Sequence, residues 1–93
     1  MELNKNQYVL YKGLPLVREG DTICYGDTSD KYILMLNILA KKPNGEPDMI
    51  MVQICHTNDR NKIVKGKQAF KKDLYEALDL GGVWLEQVIK EDI

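Results

Sequence analysis

Apolar and polar positions follow one rhythm over the first two-thirds of the chain and another over the last third. Residues 7–11, 14–18 and 22–25 are short runs rich in Tyr, Val, Leu and Ile, separated by Lys12-Gly13 and Glu19-Gly20-Asp21. Such runs between turn-forming residues predict three short strands. Pro15 lies at the start of the second, where a missing amide donor is tolerated on an edge. Two longer runs follow, YILMLNILA at 32–40 and MIMVQIC at 49–55. They bracket Lys-Lys-Pro-Asn-Gly-Glu-Pro-Asp and predict a central hairpin with strands at 31–41 and 49–56. A sixth short strand is expected at 61–66. Neither long run approaches the ~20 apolar residues that cross a bilayer.

Side chains on a strand alternate between faces, so the hairpin register decides which residues share a surface. A two-residue loop at Asn44-Gly45 sets Leu39 opposite Ile50 and mixes apolar with polar positions. A longer loop with Ala40 opposite Ile50 sorts them, and the flanking prolines favour it. One face then carries Leu36, Ile38, Val52 and Ile54, an ordinary core. The other carries Ile33, Met35, Asn37, Leu39, Met51, Gln53 and Cys55, where a solvated face would alternate Lys, Glu and Thr. Such a face is covered by the chain itself, by a second copy or by a ligand. Its methionines suit an adaptable binding surface.

From about residue 71 the period changes. Leu74, Ala77, Leu78, Gly81, Trp84, Leu85, Val88 and Ile89 recur at helical spacing, with Asp73, Glu76, Asp79 and Glu86 off the stripe. This predicts an amphipathic helix at 71–90, seated on the core face with Trp84 as its largest contact. Gly81-Gly82 in mid-helix costs about 1 kcal/mol per glycine relative to alanine. Either the helix approaches the sheet closely there or it kinks, and close approach is the better reading. Leu80 and Val83 widen the apolar stripe toward a second packing partner. The expected fold is a single α+β domain: an antiparallel β-meander of five or six strands with one C-terminal amphipathic helix packed on one face.

Composition places the 93-residue chain among ordinary globular domains, and a net charge of -1 gives no global attraction to nucleic acid or membrane. The charge is unevenly placed, however. Arg60, Lys62, Lys65, Lys67, Lys71 and Lys72 form a basic run without acids, ahead of an acidic helix. Lys71 and Lys72 fall at the helix end that disfavours cations. The run reads as a solvated lysine-rich loop. Its alternative role is an electrostatic surface for nucleic acid or another acidic partner, with Phe70 the nearby aromatic for stacking.

Candidate chemistry is sparse. His56 is the single histidine, and its neighbour Cys55 points to the opposite face of a strand. In a meander the fourth strand separates His56 from Cys24. One His and two Cys do not complete a tetrahedral zinc site. Asp27-Thr28-Ser29-Asp30 predicts an Asx-type turn and lacks the acids of a calcium loop. Ser29 has no nucleophile-elbow context, and no phosphate-binding glycine pattern occurs. No catalytic, metal or cofactor residue is therefore assigned. The opening MELNKNQYVL has no basic stretch followed by an apolar one, which predicts no signal peptide. Two cysteines without a disulfide framework fit a reducing, cytoplasmic setting.

YKGLPLVREGDTICYGD at 11–27, and LYEALD at 74–79 with VWLE at 83–86, resemble short uncharacterised proteins of anaerobic bacteria. The resemblance implies a small bacterial cytosolic protein and carries no activity, substrate or site residue. With two apolar sheet faces and one helix, the expected function is a non-enzymatic interaction module that forms a homodimer. Its expected interface is the Met35, Asn37, Leu39, Met51 and Gln53 face, or Leu80 and Val83 on the helix flank.

Overall fold

The structure, a computed structural model, describes residues 6–91, so the reading of residues 1–5 and of Asp92 falls outside the described residues. Six strands and one helix follow in order: β1 (Asn6–Tyr11), β2 (Leu14–Glu19), β3 (Thr22–Tyr25), β4 (Tyr32–Lys41), β5 (Pro47–His56), β6 (Asp59–Lys71) and α1 (Leu74–Glu91). All strands pair antiparallel in one sheet whose spatial order is the chain order. The α+β meander with a C-terminal helix is thus the observed architecture. Short turns impose it. Lys12 (φ 50) and Gly13 (φ 86) both adopt the left-handed region, closing a two-residue hairpin whose twist matches that of its strands. Asp27 accepts hydrogen bonds from the Ser29 backbone N–H and hydroxyl at 2.9 and 2.8 Å, the Asx turn expected before β4. No described helix is long and apolar enough to cross a membrane.

The core lies between the sheet and α1. Leu16, Ile23, Leu34, Leu36, Ile50, Val52 and Ile54 are fully buried from the sheet, and Ala77, Leu78, Leu85 and Val88 meet them from the helix. Gly81 explains how closely the layers approach: a Cβ there would overlap the Cγ and both Cδ atoms of Leu34. The helix is continuous through Gly82, whose missing side chain faces open space.

Four expectations need correction. The hairpin register places Ile38, not Ala40, opposite Ile50, and Ala40 opposite Met49. Leu39 is squeezed out between them as a bulge and is 55% exposed. The bulge absorbs the residue that a longer loop was to hold, and Lys42 N–H closes the loop on the Glu46 carbonyl at 2.8 Å. Facing sets are unchanged because the shift is by an even number of residues. Second, Pro15 is in an interior strand. It is tolerated because its nitrogen faces β3 at the point where that strand ends, and its carbonyl still accepts from Gly26 N–H at 3.1 Å. Third, β6 runs to Lys71, so the basic segment is strand rather than loop. Fourth, the helix begins only after Asp73, whose carboxylate accepts from Tyr75 N–H at 2.7 Å. Lys71 and Lys72 therefore precede the helix, and the Asp73 cap with Glu76 in the first turn offsets their charge at its N-terminal end.

Candidate functional site

The sheet face away from α1 assembles in rows. Cys24, Met35, Gln53 and Gln68 stand side by side across β3 to β6, and Thr22, Asn37, Met51 and Phe70 form the next row. The structure thus brings Met35, Asn37, Met51 and Gln53 together. Asn37 and Met51 stay partly exposed, whereas Met35 and Gln53 are buried. Met35 is 8% and Gln53 7% exposed, beside buried Ile33 and Cys55. In a flat sheet Cys24 and Arg60 would stand three strand spacings, about 14 Å, apart. Yet the Arg60 guanidinium donates to Cys24 Sγ at 3.5 Å. The Arg60 side chain therefore reaches inward across this face from the irregular start of β6. Thr22 Oγ1 donates to Asn37 Oδ1 at 3.2 Å, and Gln68 Nε2 to Met51 Sδ at 3.3 Å. The chain supplies its own cover at the centre. Leu39 lies outside that cluster, and Leu80 and Val83 lie on α1, the layer that covers the other face of the sheet.

The basic segment is not one patch. Arg60 reaches over the face away from α1, whereas Lys67 lies 5.5 Å from the Trp84 ring centroid on the helix side. Lys71 is half-buried opposite Ile50, and Lys62, Lys65 and Lys72 are exposed. Ladder pairing of β6 with β5 shifts register twice between Gln68 and Asp59, and Gly66 adopts φ 79. Lysines and bulges on an outer strand are the means by which sheets prevent pairing with another chain.

The opposite edge has none of these. β1 reads NQYVLY, without charge, proline or register shift, and among the described residues β2 is its one strand neighbour. Tyr8 is 61% and Leu10 68% exposed on it. The phase of its hydrogen bonds follows from Pro15. In an antiparallel pair the N–H and C=O of one residue point the same way. Pro15 directs its carbonyl to Gly26, hence toward β3, so Leu10, which stands opposite Pro15, directs both of its polar groups away from β2. Alternation gives Tyr8 and Asn6 the same outward orientation. Neither Tyr8 nor Leu10 stands out by chemistry in the sequence. The available signal was positional: the first strand of a meander is an edge, and this one is uncharged.

Beside β1 a groove of about 520 Å³ separates the β1–β2 hairpin from α1. Tyr11, Leu14 and Tyr25 form one wall and Leu78, Val83 and Ile89 the other, with Gly82 opening the helix side. Tyr25 donates its hydroxyl to the Tyr11 carbonyl at 2.7 Å, tying the hairpin to β3. Burial pushes the Tyr25 hydroxyl pKa up.

The thiols are positioned as packing groups. Cys24 Sγ lies 3.2 Å from Met35 Sδ, and Cys55 is buried one strand beyond. Burial pushes both thiols up, only partly countered by Arg60, the reverse of what an activated nucleophile requires. His56 packs its ring 5.2 Å from that of Tyr32. Among the described residues no group of three or more His, Cys, Asp and Glu side chains is placed to hold a metal. In comparisons with known proteins, no family model, no curated protein and no solved structure matches this chain.

Proposed function

We propose that the protein is a small non-enzymatic interaction module that works as a homodimer, joined through the β1 edge of its sheet. The observation that carries this reading is the unguarded state of β1: outward backbone groups at Tyr8 and Leu10, flanked by their two exposed apolar side chains. Strand addition at such an edge draws affinity from main-chain hydrogen bonds and specificity from alternating side chains. The face around Met35 and Gln53 supports this reading less, because both side chains are already buried within the chain.

Sedimentation velocity at tens of micromolar provides the test. The wild-type chain is expected to sediment as a dimer. Leu10→Lys places a charge at the edge of each copy and is expected to weaken association about 100-fold, or ~2.7 kcal/mol. Its thermal midpoint in the monomeric range stays that of the wild type, since Leu10 is exposed. A wild-type monomer at these concentrations overturns the proposal.

A further inference from the structure

We infer the register of this dimer: two β1 strands pair antiparallel with Tyr8 on the two-fold axis, so that Tyr8 faces Tyr8 of the second copy and Leu10 faces Asn6. The inference rests on the self-association proposed above and adds its geometry. Outward backbone groups belong to Asn6, Tyr8 and Leu10, while Gln7, Val9 and Tyr11 bond to β2. Only an outward residue set opposite an outward residue can exchange both hydrogen bonds. Registers that place Tyr8 opposite Val9 are therefore excluded; among the described residues the symmetric register with its axis at Tyr8 forms three outward pairs, and those with the axis at Val9 or Gln7 form two.

With the axis at Tyr8, three outward pairs form: Tyr8 with Tyr8, Asn6 with Leu10, and Leu10 with Asn6. Each exchanges two bonds. With the axis at Val9, Tyr8 and Leu10 pair twice, but Asn6 falls opposite Lys12. Lys12 has φ 50 and belongs to the turn, so that third kind of pair is lost. The first register uses every outward group of the strand and the second leaves Asn6 unpaired. It also sets the exposed Tyr8 rings against each other, with each Leu10 diagonal to the second copy's Tyr8, within reach of an aromatic side chain. Both sheets then merge into one twelve-stranded sheet whose outer edges are the two lysine-rich β6 strands. Assembly ends at two copies for that reason.

Single cysteines at Tyr8 and at Leu10 test the register by disulfide formation under a mild oxidant. The wild-type background serves, because Cys55 is buried and Cys24 is half-buried against Met35. Tyr8→Cys sulfurs meet across the axis, at a spacing a disulfide spans. Leu10→Cys sulfurs lie four residues apart along the strands, about 14 Å, which it does not. Tyr8→Cys is expected to cross-link at least tenfold faster than Leu10→Cys, whose rate matches that of wild type. Faster cross-linking of Leu10→Cys overturns the register. A wild-type dimer by sedimentation in which neither variant cross-links overturns edge pairing while leaving self-association standing. Both exposed sites tolerate substitution, and a Val9→Cys variant that cross-links fastest moves the axis to Val9 and likewise overturns the register.

Discussion

The two edges of this sheet solve the same physical problem in opposite ways. Each outer strand presents N–H and C=O groups with no partner in the sheet. β6 surrounds them with Arg60, Lys62, Lys65, Lys67 and Lys71, breaks its ladder twice and turns at Gly66 in the left-handed region. α1 also packs against it, and Lys67 lies over Trp84. β1 carries no charge from Asn6 to Tyr11, keeps an unbroken register with β2, and exposes Tyr8 and Leu10. Among the described residues, then, one edge is heavily guarded and the other is bare. On the proposed reading the difference turns an aggregation hazard into a directed contact, because one open edge per molecule closes a dimer while two would propagate a filament.

The largest expected effect comes from removing the guard. Lys62→Thr with Lys65→Thr replaces two exposed lysines by residues that favour strands and leaves the core untouched. With both edges open, the variant is expected to grow beyond the dimer, read as species heavier than dimer by sedimentation and as rising light scattering. A variant that stops at the dimer assigns the protection of β6 to its bulges and to α1 rather than to its lysines.

The same asymmetry reappears on the helix. Gly81 faces Leu34 under the helix, and Gly82 faces the groove beside the β1–β2 hairpin. Gly81→Ala gains up to ~1 kcal/mol of helix propensity but forces a methyl into Leu34, at about 1–3 kcal/mol. The net expectation is a loss of up to about 2 kcal/mol, seen as a lowered midpoint in urea. Gly82→Ala meets nothing within 4 Å and is expected to stabilise by up to ~1 kcal/mol. Equal effects from the two substitutions would erase the distinction between the seated and the open side of the helix.

The edges also explain what the sequence revealed and what it concealed. β1 to β5 were legible because their apolar residues alternate or run together where the sheet is buried. β6 was not, because lysines that guard an edge have the composition of a solvated loop, and its bulges destroy the period of two. The helix stripe was legible in full, from Leu74 through Ile89, and Gly81 was rightly read as close approach. Its start was not: Lys71 and Lys72 precede Asp73, and only the cap geometry separates strand from helix there. The bulge at Leu39 has no local signature, so the hairpin register slipped by two while its faces stayed correct. The apolar second face was found, but its cover was not. The burial of Met35 and Gln53 and the reach of Arg60 are tertiary facts, as is the exposure of Tyr8 and Leu10.

The smallest effect concerns the turn that aims the open edge. Lys12 holds φ 50, a conformation that costs a non-glycine side chain on the order of 1 kcal/mol and that asparagine adopts more readily. Its ammonium lies 5.4 Å from the Tyr11 ring centroid, an exposed contact worth about 0.5 kcal/mol. Lys12→Asn gives up the second and relieves most of the first, creating the Asn-Gly pair that suits this turn. The net gain is expected to be about 0.5 kcal/mol, a rise of roughly 2–4 °C in the thermal midpoint for a domain of this size. Because the substitution firms the hairpin without touching Tyr8 or Leu10, dimer affinity should hold or tighten. A variant that melts higher yet dissociates more readily would mean that Lys12 itself contacts the second copy, which favours the axis at Val9, where Asn6 stands opposite Lys12, over the axis at Tyr8.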